Sequence, residues 1–326
     1  MQPPSVSVVI ATRDRPACLR RLLQCVRDQD LGDFECIVLD DGSGPEATAA
    51  YDEIFKDLDA RFQLHSKAPD DRQPGGPSRM RNKGIALAKG TYVAFCDDDD
   101  RWVRNDHLST AVRAMTNHGA DLYFAAMQTS ARGKVDVSDL YAPAGKALQR
   151  DRLTDEPDVY VVSQQAMASL LRHRTLHTDT LVATRKLLFD AGLYWEKTSL
   201  AEDRDLSFRI VDRAAKILFR STVVGELEVS HHVSLYRSYA AQEKALFASL
   251  ATLHSEFEVR SPRLRRLARA IRAWDLIELS RQLLSEGKAR HAREFAAQSF
   301  FLRPSLGAVR MLAGTLAPLK SRSTAP

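Results

Sequence analysis

Over the first 126 residues, short apolar runs alternate with amphipathic stretches. Ser5–Ala11 (SVSVVIA) has the unbroken apolar character of a buried strand. In Ala17–Asp28, Leu19, Leu22, Leu23 and Val26 recur at helical spacing. Phe34–Leu39 predicts a second strand, Glu46–Leu58 a second helix and Arg61–His65 a short third strand. The Pro/Gly-rich stretch Ala68–Pro77 breaks the pattern. Ser78–Ala88 predicts a helix, Thr91–Cys96 a strand, His107–His118 a helix and Ala120–Ala126 a strand. Strands alternating with helices imply an α/β fold with a mostly parallel sheet covered on both faces.

Further along, Met127–Pro157 is irregular. Leu181–Phe189 and Glu202–Asp212 read as helical with a loop between them, and Lys216–Val224 reads as a strand. From Tyr239 the chain becomes rich in Ala, Leu, Arg and Glu, which predicts helices broken at Ser261-Pro262. Two domains are therefore expected: an α/β domain over 1–238 and a helical extension over 239–326.

Composition narrows the class without choosing a function. The 326 residues are 44% hydrophobic and 27% charged, which excludes a disordered chain, a collagen and a disulfide scaffold. Lys and Arg number 47 against 42 Asp and Glu, and the resulting charge of +5 weakly favours anionic partners. Cys18, Cys25, Cys36 and Cys96 form no C-x-x-C pair, so a reduced compartment is expected. No basic region precedes the first apolar run, and no stretch nears the roughly 20 apolar residues of a membrane span. These features predict a cytoplasmic location.

Candidate chemistry lies in two acidic clusters. Asp97-Asp98-Asp99-Asp100 follows the strand ending at Cys96, and Asp40-Asp41-Gly42-Ser43 follows the strand ending at Leu39. Both fall where an open α/β sheet binds ligands, beyond the carboxyl ends of its strands. One Asp there is an ordinary turn or helix cap. Four adjacent like charges point instead to a divalent cation, Mg²⁺ or Mn²⁺, whose hard character suits carboxylate oxygens and phosphates. Asp40-Asp41 reads equally as a strand-to-helix turn or as an acceptor for a base N–H or a ribose hydroxyl. No G-x-G-x-x-G, G-x-x-x-x-G-K-[ST] or G-x-S-x-G occurs, which disfavours dinucleotide enzymes, P-loop NTPases and α/β-hydrolases.

Five segments in order carry a family resemblance: Val6–Arg15, Phe34–Ser43, Arg81–Gly90, Thr91–Trp102, and Glu202-Asp203-Arg204-Asp205-Leu206 with Arg209. Together they resemble a family 2 glycosyltransferase of the GT-A fold over roughly residues 5–235. The resemblance implies a nucleotide-sugar donor, a uracil nucleotide by preference, an acceptor hydroxyl and inversion at the anomeric carbon. It implies that Asp99, assisted by Asp97, holds the cation, and that Asp98 contacts the ribose. Ala11, Thr12, Arg13, Asp40, Asp41 and Arg81 belong to the donor side. Arg13 stands where the family usually has an aromatic residue, and a guanidinium also stacks on a base. Asp203 is the expected general base, with Glu202 beside it. Read without the resemblance, Glu202-Asp203 would be acids at a helix N-terminus, paired with Arg204 or Arg209. His231 and His232 are implied near the cation or diphosphate, with a surface or core pair as the alternative. Trp102 is expected to pack beneath the acidic loop; Trp195 is either an acceptor platform or packing.

The implied partners are a glycan or lipid-linked saccharide acceptor and no nucleic acid; oligomeric state stays open. After Glu294 no acidic residue remains, while Arg303, Arg310, Lys320 and Arg322 punctuate apolar segments. That pattern fits a helix lying on the inner face of the cell membrane, or one docked on protein. Two competing functions are a sugar-phosphate nucleotidyltransferase, whose glycine-rich basic opening is not evident, and a non-catalytic glycan-binding relative.

Overall fold

The computed structural model describes residues 3–67, 74–229 and 238–316. The chain divides into two compact units, Met1–His232 and Val233–Pro326.

The first unit is built on one sheet. In chain order its strands are β1 (Val6–Thr12), β2 (Phe34–Asp40), β3 (Phe62–His65), β4 (Tyr92–Phe95), β5 (Arg101–Trp102), β6 (Leu122–Ala131), β7 (Lys134–Val137), β8 (Asp151–Arg152), β9 (Val159–Val161), β10 (Val182–Thr184) and β11 (Ile217–Glu228). Its helices are α1 (Pro16–Arg27), α2 (Pro45–Lys56), α3 (Pro77–Leu87), α4 (His107–His118), α5 (Gly145–Leu148), α6 (Gln164–Leu171), α7 (Arg185–Asp190) and α8 (Glu202–Arg213). The strand order is β3-β2-β1-β4-β10-β6-β11-β9-β8. From β3 to β11, every strand except β10 runs in one direction. This mixed, mostly parallel centre is the α/β architecture expected.

The apolar runs explain the order. All seven residues of β2 are buried, as a strand covered on both faces requires. α1 buries Leu19, Leu22, Leu23 and Val26, the stripe read from spacing. α3 lies directly on β1, because a Cβ on Gly84 would stand 2.3 Å from Val9 Cγ1. That close approach fixes α3 against the sheet and carries Arg81, near its start, to the carboxyl edge.

Two expectations are corrected. Leu181–Phe189 is not one helix: Val182–Thr184 form β10, inserted antiparallel between β4 and β6, and α7 begins only at Arg185. Leu181, Val182 and Ala183 are buried, so tertiary pairing overrides the local helical spacing. Thr184 then caps α7 by accepting from Leu187 N at 3.1 Å. The strand expected to end at Ala126 runs on to Ala131 and is joined by β7 in the stretch read as irregular.

The second unit holds four helices among its described residues: Ala241–Glu258, Pro262–Ser285, Ala289–Leu302 and Leu306–Leu316. Ser261 caps the second of these and Pro262 occupies its first turn, which is why the chain breaks there. Leu279, Leu283 and Ala292 form its small apolar core with Ala245. Among the described residues, no helix is long and apolar enough to cross a membrane.

Candidate active site

The strand register assembles the site. Val9 lies opposite Phe95, so Thr12, three residues on, reaches the chain leaving β4, and its Oγ1 donates to Asp98 at 2.7 Å. β10 runs the other way, with Val182 opposite Ala94. Three residues back from Val182 and three on from Ala94, Asp179 meets Asp97: the Asp97 N–H donates to Asp179 Oδ1 at 2.8 Å. An antiparallel strand thus delivers its preceding loop to the edge where the parallel strands end.

The four aspartates at 97–100 divide their work. Arg15 Nη1 donates to Asp98 at 2.8 Å and to Asp99 at 2.9 Å. Burial, partly offset by Arg15, pushes the Asp98 carboxyl up to about 6. Asp100 is buried, accepts from the Glu228 N–H at 3.1 Å, and is pushed up by burial and by the neighbouring charge of Asp179. Asp97 and Asp99 remain more open, with 31% and 23% of their side chains exposed.

Arg81 ties the two halves of the site together. Its Nη2 donates to Asp97 at 2.5 Å and its Nη1 to Glu202 at 3.0 Å, while its guanidinium lies over the Tyr194 ring. Burial opposes its charge, but the two carboxylates outweigh burial and hold it firmly protonated. Burial raises both Asp97 and Glu202, and Arg81 counteracts that rise in each.

Glu202 and Asp203 open α8. The residue before them, Ala201, has φ of 61°, a left-handed conformation costly for a residue with a Cβ. Asp203 Oδ2 accepts from Thr175 Oγ1 at 2.8 Å and Oδ1 from the Arg204 N–H at 2.7 Å. The acids are not paired with Arg209, which is buried against Asp205 at 2.5 Å and the Ala191 carbonyl. The last part of the Glu202–Arg209 segment therefore locks α8 to the end of α7 and leaves the first two acids at the site.

On the other acidic cluster, Asp40 accepts from the Ser43 N–H at 3.0 Å and from Ser43 Oγ at 2.6 Å. Asp41 accepts from the N–H groups of Gly75 and Gly76, both at 2.8 Å, and from Lys67 at 2.6 Å. Thr12 is buried, Ala11 half-buried, and Arg13 exposed beside Asp14. Trp102 is buried, as expected, and donates to the Asp179 carbonyl at 2.7 Å. Trp195 is half-buried. His231 and His232 lie outside the described residues.

Sequence reasoning passed over Thr175, His177 and Asp179. Asp179 is fully buried and its Oδ2 lies 3.2 Å from His177 Nδ1. Burial works against the charge of His177, yet Asp179 outweighs it and carries the imidazole up to about 9. Asp100, His177 and Asp179 bring three ligand-type atoms within 4.8 Å of one another. The only sequence signal of His177 and Asp179 is an isolated His-x-Asp.

Asp97 and Asp99 are a second donor set that could hold a divalent cation, beside the Asp100, His177 and Asp179 cluster. Asp97 and Asp99 each give one oxygen to an arginine, and among the described residues the second oxygen has no hydrogen-bond partner. Two half-satisfied, partly exposed carboxylates that repel one another are the donor set a hard cation takes. The Asp100 and Asp179 carboxylates are buried and already hold backbone N–H groups.

The Glycosyl transferase family 2 model matches residues 7–168. The succinoglycan biosynthesis protein ExoW of Rhizobium meliloti is 32% identical over 177 residues, 53% of this chain and 52% of that protein. The GalNAc(5)-diNAcBac-PP-undecaprenol beta-1,3-glucosyltransferase of Campylobacter jejuni is 28% identical over 156 residues, 48% of this chain and 47% of that one. These matches span about half the length of each relative. Among solved structures, S. aureus TarS superposes with a TM-score of 0.65 at 17% identity, over 93% of this chain and 50% of that chain. The mannosyltransferase PcManGT from Pyrobaculum calidifontis, in complex with GDP-Man and Mn²⁺, gives 0.59 at 16% identity, over 95% and 79%. At such identities the likeness is one of fold. Residues 7–168 are those of a family 2 glycosyltransferase, and the chain has the GT-A fold.

Proposed function

We propose that this protein is an inverting, metal-dependent glycosyltransferase. It moves a sugar from a nucleotide-sugar, with UDP as the nucleotide, to an acceptor hydroxyl in polysaccharide or glycoconjugate assembly. The observation that carries this reading is the bridge made by Arg81, which holds Asp97 and Glu202 on one guanidinium although they lie far apart in sequence. A cation-type acidic loop and a base-type acidic helix end therefore face one site. S. aureus TarS has been solved with UDP-GlcNAc and PcManGT with GDP-Man and Mn²⁺, which supports a nucleotide-sugar and a cation here.

In this reading Asp97 and Asp99 hold the cation, and Thr12, Arg13, Asp40, Asp41 and Asp98 shape the donor side. A cation bound there would supply positive charge opposite the diphosphate. Asp203, steadied by Thr175, takes the proton from the acceptor hydroxyl as its oxygen attacks the anomeric carbon. The bond to phosphate breaks with its electron pair leaving on the nucleoside diphosphate. Residues 1–238 act as the catalytic domain.

Residues 239–326 form a helical extension that we place against the inner face of the membrane, close to a lipid-linked acceptor. Leu306, Val309, Arg310 and Leu316 are exposed at helical spacing, and Phe301 and Arg303 precede them. Exposed apolar groups interleaved with arginines suit an anionic lipid surface. Flotation with anionic vesicles tests this; equal flotation without residues 295–326 overturns it.

The test of the activity is nucleotide release from a panel of UDP- and GDP-sugars, with Mn²⁺ or with EDTA. Asp99→Ala and Asp203→Asn are expected to abolish turnover. Turnover in EDTA, or full activity in Asp203→Asn, refutes the mechanism.

A further inference from the structure

His177 is held through its backbone and through its ring. Its backbone N–H donates to the Tyr141 hydroxyl at 2.8 Å, and the same hydroxyl donates to the Thr175 carbonyl at 3.3 Å. Two residues before it, Thr175 holds Asp203; two residues after it, Asp179 holds the backbone of Asp97. The segment thus spans from the acid assigned as base to the loop assigned to the cation, and His177 is its midpoint. The imidazole Nδ1 faces Asp179 Oδ2 at 3.2 Å. Among the described residues Nε2 has no hydrogen-bond partner, and 24% of the side chain is open to solvent.

The neighbouring cations are committed elsewhere. Arg81 is divided between Asp97 and Glu202, and Arg15 between Asp98 and Asp99. His177 differs in having one ring nitrogen fixed by a buried carboxylate, while the charges of both Asp97 and Asp203 act on the ring. The Asp179 carboxylate on Nδ1 takes the Nδ1 proton in a hydrogen bond, orients the ring and favours its doubly protonated form, in which Nε2 also carries an N–H.

We propose that His177 is a catalytic residue whose Nε2–H donates a hydrogen bond to the phosphate oxygen that leaves the anomeric carbon. This rests on the glycosyltransferase reading above. As the acceptor oxygen bonds to the anomeric carbon, the electron pair of the breaking C–O bond moves onto that phosphate oxygen. His177 meets the developing charge and keeps its proton, while Asp203 takes the acceptor's. A donor aimed at charge that appears only in the transition state acts on kcat rather than on donor binding.

The experiment compares wild type, His177→Gln and His177→Ala in nucleotide release, with donor and Mn²⁺ each titrated. Removing one such donor is expected to lower kcat about a hundredfold, with donor KM within about threefold. Added imidazole should restore part of the His177→Ala rate, because the side chain is partly open to solvent. Thermal melting of both variants is measured alongside. Three results overturn the role: kcat within threefold of wild type; loss of rate that follows loss of melting temperature with no rescue by imidazole; or a rate that returns at high Mn²⁺, which assigns His177 to the cation. If wild type itself turns over no donor, the glycosyltransferase reading fails and this role falls with it. An active wild type with an indifferent His177→Ala overturns His177 alone.

Discussion

Arg81 and Glu202 stand 121 positions apart and are joined at 3.0 Å, with Asp97 on the other arm of the same guanidinium. The arginine is almost wholly buried, so this is not a surface pairing that salt or motion would dissolve. Removing one partner from a buried ionic group typically costs about 3–5 kcal/mol, because the remaining charges lose compensation. Arg81→Ala should therefore lower thermal stability markedly and abolish turnover. Arg81→Lys should melt nearer to wild type yet stay at least tenfold slower, because an ammonium cannot present two parallel donors to two carboxylates. Melting curves beside nucleotide release check both; a fully active Arg81→Lys would remove the geometric role of the fork.

Thr175 is expected to tune Asp203 rather than to bind substrate. Its hydroxyl donates to Asp203 Oδ2. Thr175→Val keeps the shape and loses one hydrogen bond to a charged group, worth about 1.5–3 kcal/mol. The expected result is a fall in kcat of about tenfold or more, with a melting temperature several degrees lower. Thr175→Ser should retain most of the rate, and a Thr175→Val enzyme as fast as wild type would show that Asp203 needs no such support.

Gly84 offers a test of the fold alone. A Cβ there collides with Val9 Cγ1 at 2.3 Å. Overpacking of this kind typically costs about 1–3 kcal/mol. Gly84→Ala should melt several degrees lower in calorimetry. Residual activity at low temperature should survive in part, since the residues of the site are untouched. An unchanged melting temperature would mean that α3 can lift from β1 freely.

His177 predicts a pH signature. Its folded value is about 9 against an ordinary 6.5, because Asp179 outweighs burial. A raised value means that the stabilisation is fully present below about 6.5 and is lost as the pH rises through about 9. The difference in melting temperature between wild type and His177→Gln should be largest at about pH 6 and shrink by about pH 10. A difference that stays constant over that range would show that folding does not raise the His177 pKa.

The parts of the fold legible in the sequence are those whose signal is local. β1, β2 and β4 are continuous apolar runs, and α1 carries four buried residues at helical spacing. β10 is three residues long, and the spacing of Leu181 and Leu188 around it imitates a helix. Only its neighbours β4 and β6 make it a strand. The acidic clusters were legible because charge directly after an apolar strand is conspicuous. Asp179 and His177 were not, since their positions follow from the antiparallel register of that same short strand. Asp40 and Asp41 show the converse. Their pattern was visible, but nothing local indicated that Ser43 and the Gly75 and Gly76 amides would take up their oxygens.

The reversed strand also bears on synthesis. The family match ends at residue 168, yet Asp179, Glu202 and Asp203 come later, and β11 pairs with β6 only through residue 228. A chain emerging from the ribosome can lay down β1 to β4 and their aspartates early. Those carboxylates then stand without Asp179 until about eighty more residues have been made, and without Glu202 until about a hundred have. In that interval Arg81 has only one of its two anions, so the nascent sheet remains an incomplete electrostatic assembly. Completion of the site should therefore coincide with late docking of β10 and α8, which makes the carboxyl half of the first unit the step that commits the fold.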